Sequence, residues 1–180
     1  DAINFQYANP VVVNLRDGSA GGLQVSAVER FIAGNTGSTL IAADTSNTWN
    51  LDGENSGSIR YLVDTGAEAI NVAFDGFGNI EGGAADDQFT FQTGASFSGT
   101  FNAGAGTDQV SVQALTTDTH VTTDATVSLP TGVVGLRLQG IEQLLGNGRT
   151  WLYGASDQSY TWTISGQRSG QVTSTLVDAD

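Results

Sequence analysis

The 180-residue chain contains no cysteine, no methionine and no lysine, and only two prolines and one histidine. The absence of cysteine suits a large secreted bacterial chain, which avoids thiols that misoxidise, and suits a reducing compartment equally well. The absence of methionine means that no initiator opens the sequence, so residue 1 is read as a processed end or a cut through a longer polypeptide. Without lysine, all positive charge rests on Arg16, Arg30, Arg60, Arg137, Arg149 and Arg168, which form no basic stripe. The net charge of -13 then repels phosphate backbones and anionic lipid, so neither nucleic acid nor a membrane surface is an expected partner. A divalent cation, calcium first, is the natural counterpart. No apolar run approaches the roughly 18 residues of a bilayer span, and residues 1 to 20 lack the basic-then-apolar order of a signal peptide.

Helical periodicity is also lacking. Apolar residues alternate instead of recurring at three and four, and 24 glycines break the chain at short intervals, which reads as all-β. The clearest expected strands are Ile3 to Phe5, Val11 to Val13, Trp49 to Leu51, Ile59 to Val63, Ile70 to Val72, Phe89 to Phe91, Val110 to Val112, Val127 to Leu129, Leu136 to Leu138 and Tyr160 to Ile164. Alternation places Phe89, Phe91, Val110 and Val112 inside and the residues between them outside. At 39% hydrophobic the chain can bury a core, so residues 1-180 are read as a single domain.

Self-comparison reveals a duplication. Residues 42-59 (AADTSNTWNLDGENSGSI) align without gaps with 155-172 (ASDQSYTWTISGQRSGQV), sharing Asp44/Asp157, Thr48/Thr161, Trp49/Trp162, Gly53/Gly166 and Ser56-Gly57/Ser169-Gly170. The same offset carries Val28 to Phe31 onto Ile141 to Leu144, so the copies span 28-59 and 141-172. A looser third copy covers 84-101. A smaller acid-x-apolar-polar-apolar motif begins at Asp1, Glu68, Asp87 and Asp108, and its last three occurrences are almost evenly spaced. Steps of about 20 residues, each a glycine turn and a short strand, are what one coil of a β-solenoid needs. The expected fold is therefore an elongated, parallel β-helix-like solenoid, with a β-sandwich of antiparallel hairpins as the alternative. Leu176-Val177-Asp178 repeats Leu62-Val63-Asp64, so both ends of the sequence fall inside a repeat, and neighbouring repeats or identical subunits are the expected end-to-end partners.

The run Asn79-Ile-Glu-Gly-Gly-Ala-Ala-Asp-Asp-Gln-Phe-Thr-Phe91, followed by Ser98-Gly-Thr-Phe-Asn-Ala-Gly-Ala-Gly-Thr-Asp-Gln-Val110, resembles repeats of giant secreted bacterial surface proteins, the filamentous-haemagglutinin-like and RTX-type adhesins. The resemblance is densest over residues 77-113. It implies an extracellular or cell-surface bacterial protein, passive and elongated: a non-catalytic segment of an adhesin, matrix protein or filament. The sequence departs from that pattern in carrying no secretion signature and no tandem nonapeptides.

Residues 82-89 match a calcium nonapeptide except for Ala85, and 103-110 match except for Ala103, which makes Asp86, Asp87 and Asp108 the candidate metal ligands. Such turns bind calcium when successive nonapeptides face one another, whereas these two lie more than twice that distance apart along the chain. The expected role of the three aspartates is to cap turns by accepting backbone N–H groups, with no cofactor required and calcium an addition. His120, in a Thr-rich stretch with no second histidine or nucleophile elbow, is expected to be solvated. Glu29, Glu81 and Glu142 recur after a β-branched residue, and recurrence argues against a catalytic acid, which is needed once. The competing class is a carbohydrate-binding module or polysaccharide-active β-helix enzyme, with host or matrix carbohydrate as partner. Trp49, Trp151, Tyr160 and Trp162 could stack on sugars, but Trp49 and Trp162 share a repeat column, so packing is the expectation.

Overall fold

The computed structural model describes residues 1-6, 9-62, 69-122 and 135-154 in full, and the backbone of 134, 158-166 and 169-176. The expected strand at Val127 to Leu129, the motif residue Glu68 and the side chains of Tyr160 and Trp162 lie outside the described residues. Among the described residues there is no helix, and the fold is all-β, with two open mixed sheets and a separate hairpin.

The first sheet runs, edge to edge, β1 (Ala2–Phe5), β5 (Arg30–Ala33), β9 (Ala69–Asp75), β8 (Ser56–Leu62), β7 (Thr48–Gly53), β11 (Gln88–Phe91), β13 (Gln109–Ser111) and β16 (Gln143–Leu145). The second runs β17 (Thr150–Tyr153), β14 (Thr119–Thr122), β15 (Val134–Gln139), β12 (Phe101–Asn102), β10 (Asn79–Glu81), β6 (Thr39–Ile41), β2 (Val12–Asn14), β3 (Ser19–Ala20) and β4 (Leu23–Gln24). The hairpin is β18 (Gln158–Gly166) with β19 (Ser169–Leu176).

Eleven of the sixteen described strand pairings are parallel. Parallel pairing stacks equivalent positions into columns. In the first sheet Trp49, Phe89, Val110 and Leu144 lie side by side. In the second the column is Val13, Leu40, Ile80, Phe101 and Leu138. Only the steps from Phe89 to Val110 and from Ile80 to Phe101 match the expected coil of about 20 residues. The longer steps contain excursions: between β6 and β10 the chain lays down β7, β8 and β9, and between β12 and β15 it lays down β13 and β14.

The columns form the core. Phe89, Phe91, Val110 and Val112 are all buried, as alternation requires. Phe89 stacks on Trp49 (5.5 Å, 20°) within its sheet and meets Phe101 of the other sheet edge to face (4.5 Å, 68°), so the two sheets pack on each other through this ring. Each such side chain contributes about 1.5–3 kcal/mol of burial.

The turns are stacked as tightly as the strands. A Cβ at Gly83 would lie 2.2 Å from the Ala43 carbonyl oxygen, and one at Gly104, where φ is +100°, 2.1 Å from that of Gly83. The glycine-rich runs are therefore accounted for by backbone-to-backbone approach between successive turns.

The two duplicated hairpins agree to the residue. Thr48↔Arg60, Trp49↔Ile59 and Leu51↔Gly57 recur at the same offset as Thr161↔Thr173, Trp162↔Val172 and Ile164↔Gly170, and the register shift between Leu51 and Gly53 recurs between Ile164 and Gly166. No helix of the described residues is long and apolar enough to cross a membrane.

Candidate functional site

Two groups of chemically capable side chains stand out. The first is a column of acids at the mouths of the first sheet's parallel strands. Asn47, Asp87, Asp108 and Glu142 each occupy the position just before a strand, in β7, β11, β13 and β16 respectively. Because those strands pair in register, the four residues stack. Asp87 Oδ1 accepts from the backbone N–H of Asn47 (2.7 Å) and from its Nδ2 (2.8 Å), while Asp87 Oδ2 accepts from the N–H of Gly83 (3.0 Å). Asp108 Oδ1 accepts the N–H of Asp87 (2.7 Å), and Glu142 Oε2 accepts the N–H of Asp108 (2.7 Å). The Asp1 amino group donates to the Glu29 carboxylate in the same sense, again between residues that precede paired strands.

Asp87, Asp108 and Glu142 thus each accept the amide of their counterpart before the preceding paired strand. Asp86 reaches the other way, accepting the N–H of Thr107 in the following turn (2.8 Å). The structure brings Asp86, Asp87 and Asp108 into adjacent turns and gives all three to backbone donors. Among the described residues no group of three or more His, Asp or Glu side chains is arranged to hold a metal ion. Glu81 is not equivalent to Glu29 and Glu142, contrary to the sequence pattern. It ends β10 in the second sheet, exposed and paired with Ile41 and Asn102, because register and not the preceding β-branched residue decides the column.

Burial sets the electrostatics of this column. Asp87 and Asp108 are both fully buried. Desolvation raises the pKa of Asp87, against the hydrogen bonds from Gly83 and Asn47 that favour its charged form. Asp108 is pushed up to about 6, first by desolvation and then by the neighbouring charges of Asp87, Glu142 and Asp86. Its Oδ2 is buried with no hydrogen-bond partner. The column can therefore take up a proton in mild acid and otherwise serves to satisfy turn amides.

The second group lies on the outer face of β14 and β17. Pairing sets His120 beside Trp151 and Thr122 beside Tyr153, while Val121 and Leu152 alternate towards the core. The residues just before these strands, Asp118 and Arg149, form an ion pair at 3.7 Å. His120 is not solvated: it is 9% exposed, shares a 2.7 Å hydrogen bond between Nδ1 and Tyr153 Oη, and lies nearly parallel to the Tyr153 and Trp151 rings. The Thr-rich composition around it suggests exposure, but all four residues of β14 are buried, so both faces of the strand are covered.

The tryptophans divide between the two groups. Trp49 is wholly buried, as its repeat column requires, whereas Trp151 is 57% exposed and does not pack in the core. The signal that could have found the second group is the alternation Thr150-Trp151-Leu152-Tyr153, whose inward residue is Leu152. Comparison of the chain with protein-family models, with curated proteins and with solved structures finds no match.

Proposed function

We propose that this chain is a non-catalytic structural segment of an extracellular bacterial adhesin, matrix protein or filament, built as an elongated β-solenoid whose ends meet neighbouring repeats or identical subunits. The observation that carries the reading is the use made of its repeated acids. Asp87, Asp108 and Glu142 recur at the mouths of stacked strands, and each accepts the amide of the rung before it. A residue repeated with the fold and engaged by backbone hydrogen bonds holds turns together, a task present at every rung, whereas acid–base chemistry needs its group once.

The predominance of in-register parallel pairing supports the solenoid over the sandwich, since sandwiches are built from antiparallel hairpins. The antiparallel excursion β7–β8–β9 and the β2–β3–β4 meander are, in this reading, decorations on the coil. The outer strands β1 and β16 of the first sheet have no further strand beyond them among the described residues, and such edges are where a parallel stack continues.

Electron microscopy of the native material, with mass spectrometry of its intact chain, tests this. Filaments whose subunit mass is near the 18.6 kDa of this chain support assembly of identical subunits, and a much longer parent chain supports neighbouring repeats. Compact, isolated particles in the native material, or turnover of a polysaccharide abolished by Asp86→Ala or Asp87→Ala, would overturn the reading.

A further inference from the structure

Several outward positions of the parallel stack are small and polar, while others carry Arg30, Ile41, Glu81 or Leu145. Asn50, Thr90 and Ser111 line one face in register, and Asn102 pairs with Gln139 on the other sheet. At β14 and β17 the outward positions carry His120 and Thr122 on one strand and Trp151 and Tyr153 on the next, preceded by Asp118 and Arg149. Val121 and Leu152 supply the inward contacts; His120 and Thr122 are buried as well, whereas Trp151, Asp118 and Arg149 are exposed.

Trp151 is the one exposed aromatic residue among the large hydrophobic side chains of the described residues. Its indole is held, not loose. The His120 ring lies parallel to it within 9° at 6.1 Å, and His120 is itself fixed by the Tyr153 hydroxyl and by stacking on that ring at 5.5 Å and 25°. The approach to the platform is equally rigid. Asn147 Nδ2 donates to the carbonyls of Leu115 and Thr117 (2.9 Å each), and Asn147 Oδ1 accepts from the Arg149 N–H (2.8 Å) and the Thr150 hydroxyl (3.0 Å). Asp118 and Arg149, at the start of the same two strands, are more than half exposed and only loosely paired at 3.7 Å, so both retain hydrogen-bonding capacity towards solvent.

We propose that this face, with Trp151 as its platform and Asp118 and Arg149 at its rim, binds a neutral glycan. An indole flanked by the His120 ring and more than half exposed matches the apolar C–H face of a pyranose ring, and stacking on a flat surface positioned beforehand costs little entropy. A carboxylate and a guanidinium side by side offer acceptor and paired donors to neighbouring hydroxyls. Charge selects among glycans. A net charge of -13, with Asp118 on the face itself, disfavours uronate or sulfated chains and leaves uncharged sugars as the fitting class. His120 supports the platform from the neighbouring strand and is a positioning residue. Glycan binding at this face does not depend on filament assembly, which microscopy tests separately.

The test is titration of the 180-residue chain with soluble neutral oligosaccharides of glucose, mannose and N-acetylglucosamine in β and α linkages, followed by calorimetry and by ligand-observed NMR, with oligogalacturonate as the anionic comparison. Binding of at least one neutral oligosaccharide is expected, weakened about tenfold or more by Trp151→Ala and largely retained by Trp151→Tyr. Asp118→Asn and Arg149→Gln, which leave the core untouched, are each expected to weaken it several-fold. Circular dichroism melting of each variant establishes that it is folded. Absence of binding to every neutral oligosaccharide at about 10 mM, binding unchanged by Trp151→Ala, or binding confined to oligogalacturonate overturns the proposal.

Discussion

The acid column at β7, β11, β13 and β16 and the outer face of β14 and β17 are built on the same parallel pairing, yet they use it in opposite ways. In the column, chemically versatile side chains recur from rung to rung and are spent on the backbone: Asp87 alone serves two N–H groups and an amide side chain. On the outer face, side chains that occur once are arranged around one another, with an ion pair and an indole left towards solvent. Repetition marks residues that hold the stack, and departure from repetition marks residues the stack does not need. That contrast separates structural from functional candidates without any reference to a relative.

The contrast predicts unequal costs of substitution. The largest should follow Phe89→Ala, which empties the junction between Trp49 and Phe101 and should cost about 3–5 kcal/mol in urea denaturation. Asp87→Ala should come next, at about 2–3 kcal/mol, because the amides of Asn47 and Gly83 are left buried without an acceptor. If it is as silent as a surface change, the column is not structural and the comparison fails.

Asp108→Asn should act with the opposite sign. A carboxyl whose folded pKa is raised to about 6 from the ordinary 3.8 is penalised in the fold when charged. That penalty is absent below the unfolded value, grows between the two values and is complete above the folded one. The wild-type chain should therefore gain stability as pH falls from 7 towards 4. The asparagine variant should be more stable at pH 7 by on the order of 2 kcal/mol, the advantage vanishing near pH 4. Asn47 already occupies the corresponding place one strand pair away from Asp87, donating its Nδ2 to the Asp87 carboxylate and to the Ala43 carbonyl. Urea melts of both proteins at several pH values check the sign and the window.

Smallest of all should be Trp151→Ala, within about 0.5 kcal/mol of wild type, since its indole lies outside the core. Calcium in place of excess chelator should leave the melting temperature unchanged within error, because Asp86, Asp87 and Asp108 already accept backbone amides. A clear upward shift would show that the turns rearrange around an ion and would restore the three aspartates as ligands.

How much of this is legible depends on what each strand has to bury. Phe89-Thr90-Phe91 and Trp49-Asn50-Leu51 announce themselves because two large inward residues flank a polar one. The strands β6, β10 and β12 do not, since each offers a single large inward residue, Leu40, Ile80 or Phe101, next to glycine-bearing turns. β14 escapes because Thr119, His120, Val121 and Thr122 are all buried, which erases alternation. Turn-capping by Asp87 and Asp108 is readable from composition, and their burial makes sense of the raised pKa values. The direction of the column, each acid reaching back to the amide before it, requires the register, which no local pattern encodes. Trp151 misleads for a related reason: a tryptophan reads as core until its strand's inward residue is known.

The unequal steps between rungs carry a consequence for how such a chain can change. The short interval from Phe89 to Val110 and the nearly doubled ones from Trp49 to Phe89 and from Phe101 to Leu138 all deliver the next inward side chain to its column. Chain length between paired strands thus varies, while the paired inward position is kept. One extra residue at Gly83, by contrast, would put two tightly nested turns out of step. The molecule behaves as a ruler with movable ornaments, whose markings are set by backbone contact and whose lettering is open to revision.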